Sequence, residues 1–212
     1  MGADFVRVRF AYSKRRGACF IPHAELPTLF ARAMRRAGLT LELTQGFSPH
    51  PKITLGPPLP VGVVGLFEVA EAWVSADTLG SFEGVGGHLP QGFGIGPHAP
   101  VEGPSPALSK LCSAGEYLIG LAGVGPLEAI PEALGAWDGA HLLRGLDVQG
   151  GMVRFFMLEP DSVGPSAVVK HLISMGVASA WSDLVFVRVR LGGWDESRGF
   201  LDLLPYDSPW EV

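Results

Sequence analysis

Residues 35–52 read RRAGLTLELTQGFSPHPK, and they predict the end of a basic helix, a short strand and a stiff loop. Gly38 is placed to end the helix, because glycine adopts the left-handed cap conformation without a Cβ penalty. Leu39, Leu41 and Leu43 alternate with polar residues, which is the period of a half-buried strand. The stretch therefore predicts a helix that leads directly into a sheet.

The loop that follows this strand is unusually constrained. Pro49 and Pro51 lack backbone N–H groups and favour extended conformations at the residues before them. His50 is therefore held on a stiff backbone, and polar loops on rigid scaffolds often carry function. The alternative is a well-made turn. The candidate binding residues of the loop are Gln45, Phe47, Ser48, His50 and Lys52.

Upstream of the loop, the pattern predicts a strand, a basic turn and a helix. Residues 5–12 alternate between apolar and polar side chains, as in a strand. The basic turn contains Lys14, Arg15 and Arg16. The helix is predicted to begin near His23, since a proline four residues later is tolerated in a first turn.

Three arginines, Arg32, Arg35 and Arg36, share one face of this helix because they are three and four residues apart. Like charges at these spacings are mildly destabilising. We therefore expect an anionic ligand or a neighbouring acid beside them, although a solvated charged face is the alternative.

The charge distribution is asymmetric. Residues 1–60 carry nine Lys and Arg against three Asp and Glu, a net charge of +6, whereas residues 61–212 carry seven against eighteen, a net charge of −11. Such a split indicates that the first sixty residues face an anionic partner. The alternative is that the basic and acidic parts pair with each other inside the fold.

The order strand, helix, strand, strand, helix, strand occurs twice, on either side of residues 97–106, which contain four prolines. The sequence therefore predicts an α+β protein with two tandem ferredoxin-like (βαββαβ) units, each with an antiparallel sheet. The units are predicted at 1–98 and 109–212, joined by a linker at the proline-rich segment. A short helix is expected from Asp77 to about His88. The second unit should end in an irregular acidic tail, with Trp194 and Trp210 packed on the domain surface.

Composition excludes several classes of protein. The chain has 212 residues, 47% of them hydrophobic and 17% charged, which is ample material for a core. No segment approaches the roughly 18 apolar residues of a membrane span, and no signal peptide precedes the first strand. A cytoplasmic protein without membrane contact is expected.

The two cysteines, Cys19 and Cys112, are far apart in the sequence. They form neither a zinc-binding pair nor an iron–sulfur cluster motif. We therefore expect no metal and no cofactor, and we interpret both cysteines as buried thiols.

A longer pattern lies in the first 65 residues. It consists of Arg7-x-Arg9-Phe10 and of residues 20–26 (FIPHAEL), 30–39 (FARAMRRAGL), 45–53 (QGFSPHPKI) and 57–62 (PPLPVG). These blocks resemble the radical SAM-linked protein family, a group of uncharacterised bacterial proteins. The chain has Pro22, Ala24 and Glu25 where that family tends to have Ser, Leu and Asp. The resemblance implies a radical SAM protein with a cobalamin-type domain as partner, and a neighbourhood of RNA-processing functions.

Three functions are compatible with the sequence. The first is an RNA-binding or substrate-presenting accessory module, in which basic side chains contact phosphates and Phe47 stacks on a base. The second is a metal-independent endoribonuclease with His23 and His50 as base and acid; at the level of fold alone, the predicted units are similar to endoribonucleases that process CRISPR RNA. The third is a protein–protein adaptor without RNA binding. The predicted phosphate contacts are Lys14, Arg15, Arg16, Arg32, Arg35, Arg36 and Lys52.

We also expect His23, Gln45, Ser48 and His50 to converge on one surface cleft. The strand after the helix should run back beside the first strand, which would return its far end to the level of the helix start. The alternative is that His23 caps its helix and His50 contacts a backbone carbonyl.

Overall fold

The computed structural model describes residues 4–123 and 125–207. Its strands are β1 (Phe5–Lys14), β2 (Ile53–Leu55), β3 (Val64–Ser75), β4 (Phe93–Pro100), β5 (Ala114–Leu121), β6 (Leu143–Gln149), β7 (Met152–Leu158), β8 (Leu184–Asp195) and β9 (Gly199–Asp202). Its α-helices are α1 (Leu26–Arg36), α2 (Leu108–Leu111), α3 (Ala129–Gly135) and α4 (Pro165–Ser174). Shorter 3₁₀ segments span Arg16–Phe20, His23–Glu25, Ala76–His88, Ala140–Leu142 and Trp181–Asp183.

All of these strands belong to one mixed sheet with the order β4-β1-β3-β8-β5-β7-β6, in which β2 also pairs with β3 and β9 with β8. The mixed class of helices and strands is confirmed. The expectation of two separate antiparallel sheets is wrong, because β3 and β8 pair in parallel at Val64↔Val187 and Gly65↔Arg188. The short β2 covers only Ala70–Ala72 of the same edge. The remainder of that edge is therefore available to β8, which satisfies backbone groups that an open edge would leave unpaired.

Helices pack against the sheet in both halves. In the first half, Phe10 of β1 lies in a core with Phe30 and Met34 of α1, as the alternation along β1 and the helical spacing predict. In the second half, Phe155 of β7 lies in a core with Leu172 of α4. Each half therefore buries its helical face on its own part of the shared sheet.

Three local predictions have different outcomes. The stretch 39–44 forms only isolated bridges, Leu41↔Val74 and Leu43↔Pro51, instead of a continuous strand. The predicted helix after Asp77 is the 3₁₀ segment Ala76–His88, which fits its four glycines, since glycine destabilises α-helix. Gly38 does end α1 in a left-handed conformation, with φ 92°.

The proline-rich segment is part of the folded structure. β4 continues to Pro100, and Arg7 donates hydrogen bonds to the carbonyls of Ser105 at 3.2 Å and Pro106 at 3.0 Å. A guanidinium on β1 therefore holds a segment that composition alone presents as a linker.

The acidic tail is also more regular than predicted. β8 extends to Asp195, and β9 pairs with it antiparallel. Trp194 is half-buried, with its ring centroid 5.6 Å from that of Phe156. Trp210 lies outside the described residues.

A buried ion pair spans the junction of the two halves. Arg188 of β8 is fully buried and donates from Nε to the Glu68 carboxylate at 2.8 Å and from Nη2 to the second oxygen of the same carboxylate. Nη2 also donates to the carbonyl of Pro57 at 2.8 Å. A Cβ at Gly65 would lie 2.8 Å from the side chain of Glu68. The glycine therefore leaves room for the carboxylate that holds Arg188.

We expect Glu68→Gln to lower the free energy of unfolding by about 3–5 kcal/mol, because it leaves a buried guanidinium without its counter-ion. Urea unfolding followed by tryptophan fluorescence measures this change. The matched control is Glu196→Gln, which removes an exposed partner 3.5 Å from Arg144 and should cost less than about 1 kcal/mol. Equal destabilisation in both variants would contradict the role assigned to the buried pair.

Candidate functional site

The basic face of α1 is exposed. Arg32, Arg35 and Arg36 all reach solvent, and none of them has an ion pair within residues 4–123 and 125–207. The neighbouring acid that the sequence allows as an explanation is therefore not found in the described structure.

Three other basic side chains of the first sixty residues are paired. Arg7 and Arg9 bind the same carboxylate of Glu71, at 2.6 and 2.9 Å. Lys52 binds Glu42 at 3.1 Å, so this predicted phosphate contact already has an acidic partner. Internal pairing therefore explains part of the charge asymmetry but leaves the face of α1 unexplained.

A groove of about 730 Å³ runs between α1 and the end of the Ala76–His88 segment. Arg32 and Arg36 line it beside the apolar side chain of Leu29, and its acidic lining residue is Glu25. Arg35 is exposed on the same helix but does not line the groove. The groove therefore combines cationic donors with an apolar wall, which suits a ligand that carries both phosphates and flat rings.

The loop 45–50 forms the tip of a hairpin arm. Thr44 donates its N–H to the carbonyl of His50 at 2.8 Å, and the His50 N–H donates to the Thr44 hydroxyl at 3.2 Å. Gln45, Phe47 and Ser48 are exposed with His50 at this tip. The side chain of Phe47 is fully exposed. The loop therefore presents its polar and aromatic side chains to solvent from a well-bonded base.

The two histidines have different surroundings. His50 lies at the hairpin tip, beyond the level of Trp73, and its Nδ1 is 3.3 Å from the carbonyl oxygen of Ser48. His23 lies within electrostatic range of Glu68 and Arg188. The strand from Trp73 to Glu68 spans roughly 17 Å at the usual rise per residue. The tip residues therefore lie together, while His23 belongs to a different neighbourhood.

His23 is half-buried in the short turn before α1. Loss of hydration lowers its pKa, and the positive charge of Arg188 lowers it further. The N-terminal cap of α1 has no side-chain hydrogen bond, so His23 is not its capping residue. A neutral imidazole beside the junction is the state that these surroundings favour.

The prediction that Lys14 contacts phosphates from a surface turn is wrong. Its side chain is 1% exposed, because the inward side of β1 that buries Phe10 and Tyr12 continues to Lys14. Its Nζ is buried and has no hydrogen-bond partner in the described structure. Arg15 and Arg16, next in the chain, are exposed as predicted.

Lys14 belongs to a row of polar groups across the centre of the sheet. Lys14 on β1 pairs with Gly65 on β3, and Gly65 pairs with Arg188 on β8. Arg188 also pairs with Tyr117 on β5. Burial lowers the pKa of Lys14 and raises the pKa of Tyr117. Sequence reasoning missed Glu68 and Arg188; the only available signal was a charged residue inside an otherwise apolar strand pattern.

One family of known proteins covers most of the chain. Residues 7–141 match a family described as an uncharacterized protein conserved in bacteria, DUF2344. The chain belongs to this family. No curated protein matches the DUF2344 chain.

Two solved structures show weak likeness to this DUF2344 protein. The archaeal box H/ACA sRNP Nop10–Cbf5 complex aligns with 17% identity and a TM-score of 0.41 over 86% of this chain and 47% of the other, so the chain spans about half the length of that relative. The ligand-free regulatory subunit of aspartate kinase from Thermus thermophilus aligns with 12% identity and a TM-score of 0.25, over 80% of this chain and 95% of the other. Scores this low bear on neither fold nor function.

None of the helices in the described residues has the length and apolar character that a membrane crossing requires. Within the same part of the chain, no group of three or more His, Cys, Asp or Glu side chains is placed to hold a metal ion.

We expect Lys14→Met to be more stable than the wild type at pH 7, by about 1–3 kcal/mol, because it removes a buried donor without a partner. Burial lowers the folded-state pKa of Lys14, so between that pKa and the unfolded value the unfolded chain binds more protons. Wild-type stability should therefore rise with pH through this window, and the advantage of the variant should shrink towards pH 10.5. Urea unfolding at pH 7 and pH 9.5 measures both effects.

The control for this comparison is Lys110→Met, which changes an exposed lysine. It should leave both stability and its pH dependence within about 0.5 kcal/mol of the wild type. A Lys14→Met variant that is less stable at pH 7 would show that the ammonium has a favourable partner.

Proposed function

We propose that this protein is a non-catalytic accessory module that binds RNA along α1 and presents it to a partner enzyme. The observation that carries the proposal is the contrast among its arginines: Arg7, Arg9 and Arg188 are held by buried carboxylates, whereas the arginines of α1 are exposed and unpaired in the described structure. Guanidinium groups without an internal partner are suited to phosphate.

The groove supports a single-stranded RNA in particular. Arg32 and Arg36 would contact phosphates, and the apolar wall near Leu29 would contact a base. Residues 61–212 carry a net charge of −11, which repels a long nucleic acid. The footprint should therefore be short and confined to the first sixty residues.

The family resemblance supplies the expected partner, a radical SAM protein, and with it a cytoplasmic setting. We also interpret the two halves as ferredoxin-like units that share one sheet. Supporting this interpretation, the order β4-β1-β3-β2 of the first half recurs as β8-β5-β7-β6 in the second. The ribonuclease alternative receives no such support, because the neighbourhoods of His23 and His50 are separate.

Neutralising α1 tests RNA binding. The variant Arg32→Gln, Arg35→Gln, Arg36→Gln should bind short single-stranded RNA more weakly. Its plot of log affinity against log salt should be flatter by roughly 0.7 for each phosphate that the variant no longer binds. Fluorescence anisotropy across a salt titration measures both the affinity and the slope.

The matched control neutralises three exposed basic residues in the other half, Lys110→Gln, Lys170→Gln and Arg198→Gln. It carries the same change in net charge, so its binding and slope should stay close to those of the wild type if α1 is the site. Equal effects in the two triple variants would indicate a non-specific effect of net charge and would contradict the proposed interface.

A protein-docking role is the second candidate, and the hairpin tip favours it. Phe47 is fully exposed and Leu43 is 43% exposed on the same arm. The arm is stiffened by Pro49 and Pro51 and by the hydrogen bonds between Thr44 and His50, so binding would cost little conformational entropy. A rigid, protruding aromatic side chain is a common anchor of protein interfaces.

We expect Phe47→Ser to reduce recovery of the radical SAM partner in co-purification by about tenfold or more, as for removal of an aromatic anchor, with unchanged thermal stability. Phe20→Ser is the control, since Phe20 is also a largely exposed aromatic residue but lies outside the hairpin. Unchanged recovery of the partner with Phe47→Ser would show that the hairpin tip is not part of the interface.

A further inference from the structure

We propose that Lys14 and Arg188 form a buried receptor for a small oxyanion at the junction of the two halves. The site lies apart from the groove on α1, so it is a function additional to RNA binding. Its ligand would carry a phosphoryl or carboxylate group.

The charge balance of the junction motivates the proposal. Lys14 and Arg188 are both buried, at 1% and 0% exposure, and the buried acid beside them is Glu68. Both oxygens of Glu68 already accept hydrogen bonds from Arg188. A buried ammonium without a counter-ion is costly, so the site has one positive charge in excess when Lys14 is protonated.

The hydrogen bonding of Lys14 and Arg188 also favours an anionic ligand. Nζ of Lys14 carries three N–H donors when protonated and makes no hydrogen bond with the described residues. Nη1 of Arg188 lies 3.4 Å from the carbonyl oxygen of Pro58, which is a long hydrogen bond. A water molecule would satisfy donors but would leave the charge, whereas an oxyanion satisfies both.

The segment between β1 and α1 would have to open to admit the ligand. Cys19 lies against the Lys14 carbonyl at 3.3 Å, and His23 lies half-buried within range of both Lys14 and Arg188. The segment consists of two short 3₁₀ turns. Its backbone is tied to the rest of the fold by bonds such as Gly62 N–H to the Cys19 carbonyl, 2.9 Å. Short turns at the surface open locally at lower cost than the strands of a buried sheet.

If the junction binds an oxyanion, Lys14 contributes to binding while lowering the free energy of unfolding of the ligand-free protein. A buried side chain that breaks the usual rule of charge pairing is expected where function requires it. Lys14 and Arg188 come from opposite halves of the chain, so a bound anion would also link those halves.

Ligand-dependent unfolding tests the proposal. Thermal midpoints of the wild type should rise by about 2–6 °C in orthophosphate or acetate relative to sodium chloride at equal ionic strength and neutral pH. Lys14→Met should abolish this difference, while Lys110→Met should keep it. A 5′-phosphorylated dinucleotide compared with its 5′-hydroxyl counterpart then distinguishes a nucleotide phosphate from the free ion as the preferred source. Identical wild-type midpoints in phosphate, acetate and chloride would overturn the proposal.

A second measurement does not depend on the variant folding. Acetylation of Lys14 in the wild type, followed by peptide mass spectrometry, should slow several-fold in the anion that raises the midpoint, with no change at Lys110. An unchanged acetylation rate at Lys14 would also refute the site. The Arg32, Arg35, Arg36 triple variant should keep the full phosphate response, so failure of RNA binding and failure of the buried site give different results.

Discussion

A buried ion pair between Arg188 of the second half and Glu68 of the first lies where the two halves of the sheet meet. β3 and β8 share only two residue pairs, so the backbone ladder contributes little to joining the halves. Arg188 adds hydrogen bonds to the Glu68 carboxylate and to the carbonyl of Pro57, 131 residues away in sequence. Proline has no N–H to satisfy, so its carbonyl can serve Arg188 without leaving a buried donor beside it. A buried guanidinium is costly unless all of its partners are present, and therefore the halves are held in one relative position.

The repeated pattern of alternating arginines shows how such partners arise. In β1, Arg7 and Arg9 share Glu71. In β8, Arg188 binds Glu68, whereas Arg190 binds Glu116 at 2.5 Å. The pairing of β5 with β8 shifts between Glu116 and Tyr117, which inserts one extra residue into β8. A bulge reverses the inward and outward alternation, so two arginines at the same spacing lie on opposite faces and enter different networks.

Local pattern is enough to predict most elements, and tertiary pairing accounts for the errors. The alternation in β1, the apolar stripe of α1 and the cap at Gly38 are short-range signals, and the structure confirms them. The joined sheet cannot be predicted in this way, because it depends on how much of the β3 edge the short β2 leaves open. The composition of the proline-rich segment is that of a linker. Its folded state cannot be predicted locally, because Arg7, which binds its carbonyl groups, is distant in sequence.

The candidate site also contains features that the sequence predicts and features that only the tertiary structure shows. Exposure of the arginines on α1 follows from helical periodicity, so the sequence is sufficient to predict that exposed surface. The burial of Lys14 does not follow, because a basic residue beside Arg15 and Arg16 resembles a surface turn until the strand is known to continue through it. Of the nine basic residues in the first sixty, Arg7, Arg9 and Lys52 have acidic partners. The charge asymmetry therefore overstates the free basic surface. The remaining six are the exposed arginines at positions 15, 16, 32, 35 and 36 and the buried Lys14. Of these six, the lysine is the one whose charged group lacks both solvent and a hydrogen-bond partner among the described residues, at a cost to stability.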